Sequence, residues 1–292
     1  MRRTYLLPAL AVLALPLIAQ RNFDEVKIET TKVAGSVYML TGAGGNIGVS
    51  VGEDGIVIVD DQFAPLAPKI KAALAAITDR PIQFVLNTHY HGDHTGGNEI
   101  FGREAPIIAH DNVRQRLAAG TTARGHKTPP APKGALPVVT FDSTLTIHVN
   151  GEQVRAIHSP HAHTDGDSII WFTRSNVVHM GDNFFNGRFP YIDVDNGGSA
   201  RGLIHSIDRV LSTVPDDAKI IPGHGPLADK AALRRYSEML AGTYGAVDAA
   251  VRAGKTLDQM KREKVLGPWE EWDGGFISSD AFLTTLHGEL TR

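Results

Sequence analysis

Short apolar runs separated by turn residues predict a series of β-strands in the first half of the chain. The runs VYMLTG, NIGVSVG and GIVIVD are divided by glycine and Asp-Gly turns, and IQFVLNT and APIIAH predict two further strands. The stretches PLAPKIKAALAAIT and DNVRQRLAAG predict helices, the first opened by proline. In the second of these we expect Asp111 to be the N-cap and Gly120 to end the helix.

The second half of the chain repeats this order of strands followed by helix. The helix SARGLIHSIDRVL and the strand AKIIPG come late in this half, and the pattern is helical from Ala228 onward. Four strands are predicted before them, around 138–148, 153–158, 168–173 and 176–180. Residues 121–137, rich in proline and glycine, predict a mobile surface loop. Two such halves predict a layered fold with two sheets inside and helices outside.

The first residues of the chain have the pattern of a secretory signal peptide. Arg2 and Arg3 precede an apolar run from Tyr5 to Ala19, and polar residues follow. We therefore expect residues 1–19 to be removed and the protein to be periplasmic or secreted. The order RRTYLL resembles a twin-arginine signal. Since no other run is long and apolar enough to cross a bilayer, we expect no stable membrane insertion after cleavage.

The composition of the chain excludes some classes of partner and of reactive group. The chain of 292 residues has a formal net charge of -3 and shows no basic surplus, so we expect no nucleic acid as a partner. It has no cysteine, which excludes disulfides, iron–sulfur clusters and a thiol nucleophile. Any metal ion must then be held by nitrogen and oxygen atoms. The sequence gives no indication of the oligomeric state.

The stretch NTHYHGDHTGG concentrates metal-binding residue types directly after a predicted strand. His89, His91, Asp93 and His94 fall within six residues. If the backbone is extended from Thr88 to Gly92, side chains alternate and the first two histidines point the same way. Gly92 permits a sharp bend, after which the aspartate and the third histidine can face a second ion. The cluster therefore predicts part of a metal centre.

Further ligands are expected at the ends of later strands, in HSPHAHTDGD, VVHMGDNFFNG and IIPGHGP. Each segment follows an apolar strand and contains glycine or small polar residues that let the backbone turn tightly around an ion. The candidates that they offer are His158, His161, His163, His179, Asp182 and His224.

These four motifs, in this order between about residues 35 and 226, resemble the metallo-β-lactamase superfamily. The resemblance implies an α/β (α+β type) fold, a four-layer αβ/βα sandwich of two mixed β-sheets flanked by helices, with the metals at one edge of the sheets. It divides the chain into the signal peptide 1–19, a catalytic domain 20–227 and a C-terminal helical extension 228–292 packed on the same domain.

The resemblance also implies a ligand set. His89, His91 and His163 match the ligands of a first metal, and Asp93, His94 and His224 match those of a second. Asp182 matches a carboxylate that bridges both metals in many hydrolases of the superfamily. We choose His163 over His161 because it heads the HTDGD match. Asp60, which closes the strand GIVIVD, is placed where it can orient a metal-binding histidine from behind.

The function implied is that of a metal-dependent hydrolase with two Zn²⁺ ions per chain, although iron or manganese would suit the same ligands. A metal-bridging hydroxide, oriented by Asp93, would attack a cyclic amide, lactone or (thio)ester bond of a small-molecule substrate. One group of zinc β-lactamases has cysteine where Asp182 stands, and another lacks the bridging acid. We therefore expect any β-lactam hydrolysis to be weak.

Two alternatives remain open at this stage, together with the substrate contacts. An iron-dependent redox enzyme of the same fold is one alternative, and a non-catalytic accessory protein of a periplasmic oxidation system is the other. The loop that follows Asp182 is expected to cover the metals. Within it, Arg188 is a candidate to bind a substrate carboxylate and Asn196 to donate to a developing oxyanion.

Overall fold

The computed structural model of the protein describes residues 22–292, so the predicted signal peptide 1–19 lies outside the described residues. A first sheet of seven strands has the spatial order β1-β2-β3-β4-β5-β6-β9. Its strands are Glu29–Ala34 (β1), Val37–Thr41 (β2), Ile47–Gly52 (β3), Gly55–Val59 (β4), Ile82–Leu86 (β5), Ile107–His110 (β6) and Val139–Phe141 (β9). The pairs from β1 to β4 are antiparallel, and those from β4 through β5 and β6 to β9 are parallel.

A second sheet of six strands has the spatial order β10 to β15 and is also mixed, because only β13 and β14 are parallel. Its strands are Thr144–Val149 (β10), Glu152–Ser159 (β11), Asp167–Phe172 (β12), Val177–His179 (β13), Lys219–Ile221 (β14) and Ala228–Asp229 (β15). A separate hairpin joins Thr121–Ala123 (β7) to His126–Thr128 (β8).

Helices cover the outer faces of both sheets. The α-helices are Ala67–Ala75 (α1), Gly92–Thr95 (α2), Asn98–Phe101 (α3), Asp111–Ala119 (α4), Ala200–Thr213 (α5), Lys230–Arg252 (α6), Leu257–Arg262 (α7) and Ser279–Leu290 (α8). Short 3-10 turns occur at Ala64–Leu66, Lys133–Ala135, Gly181–Asn183, Val194–Asn196 and Gly267–Trp272. None of the helices among residues 22–292 has both the length and the apolar character needed to span a bilayer.

Three apolar clusters hold the layers together. One lies between the two sheets and joins Val57 and Leu86 of the first to Val154 and Phe172 of the second. Another packs α1 on the first sheet. The third and largest packs α5, α6 and α8 on the second sheet. The order of layers is therefore helix, sheet, sheet, helix, as the sequence resemblance predicted.

The structure corrects the predicted strand around 138–148, which is two strands in different sheets. β9 ends at Phe141 beside β6, and β10 begins at Thr144 beside β11. The chain therefore passes from the first sheet to the second at Asp142 and Ser143. The residues at the crossing are polar, but apolar residues alternate in the same phase before and after it, so the pattern alone could not reveal it.

Two local predictions also need correction, and one strand escaped prediction. The predicted loop 121–137 contains the hairpin β7–β8 and a 3-10 turn. Strand β1 was not predicted, because most of its residues are exposed and polar. The N-cap of α4 is His110 and not Asp111: Nδ1 of the ring accepts a hydrogen bond from the amide of Asn112. A histidine can serve as a cap whenever its unprotonated ring nitrogen faces the free amides.

Replacing Phe282 by alanine should destabilise the fold strongly. The Phe282 ring is fully buried and stacks on Phe189, with ring centroids 4.9 Å apart, so it fixes α8 to the segment that follows the candidate ligand Asp182. We expect Phe282→Ala to lower the free energy of unfolding by about 3–5 kcal/mol in urea titrations. Phe276→Ala is the matched control, because Phe276 is 78% exposed and its loss should cost less than about 1 kcal/mol. Equal losses in the two variants would contradict this packing.

Candidate metal centre

Every candidate ligand lies just beyond the end of a strand. His89 follows β5, His91 precedes the short helix α2, and Asp93 lies in the first turn of that helix. Among the later residues, His163 follows β11 and Asp182 follows β13. His224 follows β14, and its backbone forms an isolated bridge with Phe185. The ends of strands from both sheets meet at one edge of the sandwich, which brings the donors together.

The first group of donors consists of His89, His91, His163 and Asp182. Nδ1 of His91 lies 3.0 Å from Nε2 of His89 and 2.8 Å from Nε2 of His163. Oδ2 of Asp182 lies 3.8 Å from Nε2 of His89 and 3.6 Å from Nε2 of His163. Three imidazole nitrogens and one carboxylate oxygen thus converge on one point.

The second group consists of Asp93, His94 and His224, and Asp182 adjoins it. Oδ1 of Asp182 lies 3.0 Å from Nε2 of His94 and 3.4 Å from Nε2 of His224. Oδ2 of Asp93 is 3.3 Å from Nε2 of His224. The two oxygens of Asp182 therefore face different groups, one each, and this carboxylate stands between them.

Hydrogen bonds from behind fix which nitrogen of each ring faces the centre. Nδ1 of His94 lies 2.8 Å from Oδ2 of Asp60, and Nε2 of His91 lies 2.9 Å from Oδ2 of Asp193. An ionised carboxylate only accepts hydrogen bonds, so each of these nitrogens carries the proton. The other nitrogen of each ring then presents a lone pair to the centre.

Hydrogen bonds also fix the rings of His163 and His89, so that Nε2 of each faces the centre. Nδ1 of His163 donates to the carbonyl oxygen of Tyr191 over 2.7 Å. The hydroxyl of Thr88 donates to Asp60, which leaves its oxygen to accept from Nδ1 of His89 at 3.0 Å. Four imidazoles are thus held in the tautomer that a metal requires, and Asp60 supports a ring of each group.

Burial and mutual contacts set the charges of the centre. Burial lowers the pKa of His89 and brings that of His163 to about 4, so both rings are neutral at pH 7. Burial acts to raise the pKa of Asp93 and of Asp182, but the neighbouring His94 and His224 rings outweigh it. The pKa of Asp93 is about 2, and that of Asp182 is far below its usual range. Asp182 and Asp93 in turn outweigh burial at the facing rings, raising the pKa of His94 and bringing that of His224 to about 9. The carboxylates are thus balanced by cationic rings whose protons a bound metal ion would displace.

Two buried atoms at the junction of the groups lack hydrogen bonds. Nε2 of His94 and Oδ1 of Asp182 lie 3.0 Å apart, yet neither has a hydrogen-bond partner within residues 22–292. Buried polar atoms are ordinarily paired, because an unpaired one costs about 1–3 kcal/mol. Nitrogen and carboxylate oxygen are ligands of zinc and of other divalent metals. The orphaned atoms and the donor set therefore fit a metal centre.

The backbone at two glycines lies close against the side chains of the centre. A Cβ atom on Gly223 would lie 2.1 Å from Oδ1 of Asp182, and one on Gly45 would lie 2.1 Å from the ring of His94. Asp60 adopts a left-handed backbone conformation, with a φ of 66°, and is fully buried. Such strain in a residue other than glycine persists where surrounding contacts enforce it. Here the enforcing contacts are those to Thr88 and His94.

An open cleft of about 490 Å³ leads to the metal centre. Asp93, His91, Asp182 and His224 form its base, and Arg188 stands at its side. The guanidinium of Arg188 makes no ion pair within the described part of the chain. The apolar walls are Phe63, Phe185, Tyr191 and Phe276. The cleft therefore offers one cationic and several aromatic contacts next to the metal-binding side chains.

Asn196 is not placed as we predicted. Its side-chain amide is buried and donates to both oxygens of Asp193 at 3.0 and 2.9 Å and to the carbonyl of Thr122, while its oxygen accepts from Arg116. The Asn196 side chain is not part of the cleft lining. It stabilises the position of Asp193, which in turn orients the ring of His91. The predicted donation to an oxyanion is therefore corrected to a supporting contact.

The sequence reasoning missed Asp193, and the other histidines have plain roles. No local motif marks Asp193, since its role depends on His91, more than a hundred positions away. The rings of His110 and His158 stack with centroids 3.6 Å apart, and each bonds a backbone carbonyl. His179 bonds the carbonyl of Asn46, and His161 bonds that of Gly197, as expected for structural histidines.

Comparison with known proteins shows which family the chain matches. The family model for the metallo-β-lactamase superfamily matches residues 35–224. A probable hydroxyacylglutathione hydrolase of Schizosaccharomyces pombe is 30% identical over 199 residues, which cover 64% of this chain and 67% of the relative. The 2,4-dinitroanisole O-demethylase subunit alpha of a Nocardioides species is 26% identical over 241 residues, covering 81% of this chain and 69% of the relative.

Solved structures show the same fold. A metallo-beta-lactamase from Pontibacter korlensis superposes with a TM-score of 0.61 at 19% identity, covering 74% of this chain and 99% of that one. A stereoselective inverting sec-alkylsulfatase from a Pseudomonas species gives a TM-score of 0.68 at 17% identity and covers 89% of this chain, which matches 50% of the sulfatase.

The fold and the donor set define a metallo-hydrolase. The match of the family model over most of the chain shows that the protein belongs to the metallo-β-lactamase superfamily. The sequence resemblance is confirmed in this respect.

Removing the negative charge of Asp193 should weaken metal binding by the first group. In Asp193→Asn, the amide oxygen can still accept from His91 but without the carboxylate's charge, so the ring is a poorer ligand. We expect metal affinity to fall about 10- to 100-fold in competition titrations with a zinc chelator. Glu99→Gln, on the exposed face of α3, is the control and should bind as the unaltered protein does. Identical affinities in the two variants would rule out this role for Asp193.

Proposed function

We propose that the protein is a dinuclear zinc hydrolase that cleaves an ester, thioester, lactone or cyclic amide bond of a small molecule. The observation that carries the proposal is the pair of donor groups that share Asp182 at the base of an open cleft. The names of several relatives favour thioesters within this range, since they are called hydroxyacylglutathione hydrolases. Any β-lactam hydrolysis is expected to be weak.

The two zinc ions would supply Lewis acidity and a water activated near neutral pH. The chain would supply position and charge. Asp93 lines the cleft with an ionised carboxylate, so it can accept a hydrogen bond from the attacking water and orient it. The rings of His91 and His94 are held rigidly by Asp193 and Asp60, which keeps the reacting groups in fixed positions.

Arg188 is proposed to select substrates. Its guanidinium faces the same cleft and is free of ion pairs within residues 22–292, so it can form a two-pronged hydrogen bond with a carboxylate near the cleaved bond. Its aliphatic stem lies close to Gly275, where an added Cβ would lie 3.0 Å from Cβ of Arg188.

Metal analysis and a substrate panel test this function. We expect the purified protein to hold about two zinc ions per chain, to lose activity with a chelator and to regain it with zinc. Thioesters of short acyl groups should be hydrolysed faster than a chromogenic cephalosporin, because the donor set lacks cysteine and includes Asp182. A fully metallated protein with no activity on thioesters, esters, lactones or cephalosporins would reject the proposal, and iron in place of zinc would favour the redox alternative.

Two variants separate the metal groups in the same experiment. Asp182→Ala removes the carboxylate between the groups and should lower both metal content and activity. Asp93→Ala removes an oxygen from the second group only, so the first metal should be retained while activity falls at least about 100-fold. If neither variant reduces activity, the two-metal assignment is wrong.

We also propose that the protein is exported, on the basis of residues 1–19 alone. Expression of the full chain in a bacterium, followed by fractionation, should recover the mature protein outside the cytoplasm. Replacing Arg2 and Arg3 with lysine tests the twin-arginine route, because that route depends on the arginine pair. Retention of the unaltered chain in the cytoplasm would contradict export.

A further inference from the structure

A second cavity borders the cleft at the candidate metal centre. This outer compartment has a volume of about 500 Å³ and is lined by Ala123, Arg124, His126, Tyr191 and Phe276. Tyr191 and Phe276 also line the inner cleft, so they form a shared wall between the two spaces. Their rings meet edge to face, with centroids 6.4 Å apart. A substrate longer than the inner cleft would pass these rings and enter the outer compartment.

Phe276 is held at this wall although most of its ring is in solvent. The ring is 78% exposed, a position that gains little from burial within the chain itself. The segment that carries it is anchored by Asp273, whose carboxylate accepts hydrogen bonds from Gly274 and Ser279 at the start of α8. An exposed aromatic residue fixed beside a cavity is typical of a surface that a ligand covers.

Arg124 provides the charge of the outer compartment. It occupies the tip of the hairpin β7–β8 with a φ of 50°, and its guanidinium lies 5.9 Å from the ring centre of Tyr191. Its backbone amide, not its side chain, bonds the carboxylate of Asp195. Within residues 22–292 the guanidinium has no ion-pair partner. The planar cation is therefore available for a carboxylate that arrives along the aromatic wall.

We propose that the outer compartment binds the distal end of an elongated substrate, with an apolar segment against Tyr191 and Phe276 and a terminal carboxylate at Arg124. This assignment rests on the proposed hydrolytic function of the inner cleft. It makes Phe276 a selector of substrate length and Arg124 a selector of charge at the end remote from the cleaved bond. Arg188, in contrast, stands beside the metal-binding side chains.

Matched thioesters test the assignment with the zinc-loaded full chain. Two substrates share the thiol and an eight-carbon acyl chain, and one ends in a methyl group while the other ends in a carboxylate. We expect Arg124→Gln to lower kcat/KM about 10-fold for the carboxylate-ended substrate, because a charge-assisted hydrogen bond is lost, and to leave the methyl-ended one unchanged. Phe276→Ala should lower kcat/KM for both long substrates and spare an acetyl thioester.

Lys127→Gln is the matched control, because Lys127 lies on the same hairpin, is exposed and is absent from the lining of the compartment. This control should behave as the unaltered protein on every substrate. Equal kcat/KM values for the two long substrates, with no effect of Arg124→Gln, would overturn the assignment.

Calorimetry with octanedioate and octanoate separates this assignment from the hydrolytic function. The unaltered protein should bind octanedioate more tightly than octanoate, and Arg124→Gln should abolish the difference. If no thioester, ester, lactone or cephalosporin is hydrolysed but this difference is present, the proposed reaction fails and the assignment of the compartment is supported. If thioesters are hydrolysed and the difference is absent, the compartment assignment fails alone.

Discussion

The carboxylate of Asp182 is the constraint on which the centre depends. It is buried and ionised, and an ionised carboxylate without compensation is among the most costly groups to bury. Its two oxygens face separate sets of imidazoles, and Gly223 approaches so closely that no side chain fits there. The position is stable only if positive charge lies on both sides. The glycines, the strained Asp60 and the strand ends of two sheets are arranged around that requirement.

Much of the centre could be predicted because its largest part is local in sequence. His89, His91, Asp93 and His94 follow a single strand, and alternation as far as His91 together with a bend at Gly92 is sufficient to divide them into two donor groups. The structure places the first two in one group and the last two in the other. The distant donors His163, Asp182 and His224 came from the family resemblance, since strand ends identify candidates but do not choose among them.

The features that escaped prediction depend on contacts between distant segments. Asp193 and Asn196 are ordinary turn residues until the fold brings them behind His91. The crossing between the sheets at Asp142 leaves no mark in the apolar pattern, because both strands that flank it are short and alternate alike. Phe276 lies after the region shared with the superfamily, so no motif indicates that it reaches the cleft. The hydrophobic pattern of a sequence predicts which face of each element is buried, but it does not predict which elements contact one another.

The chain crosses between its sheets only after the first four donors and before the last three. The half that ends at Phe141 contains His89, His91, Asp93 and His94, and the half that begins at Thr144 contains His163, Asp182 and His224. Neither half has a complete set for either ion. A ligand that binds only the folded state stabilises it in proportion to its affinity and concentration. The free energy of binding a metal ion at either donor group would therefore act across the boundary between the halves, so that the ion would also stabilise their association.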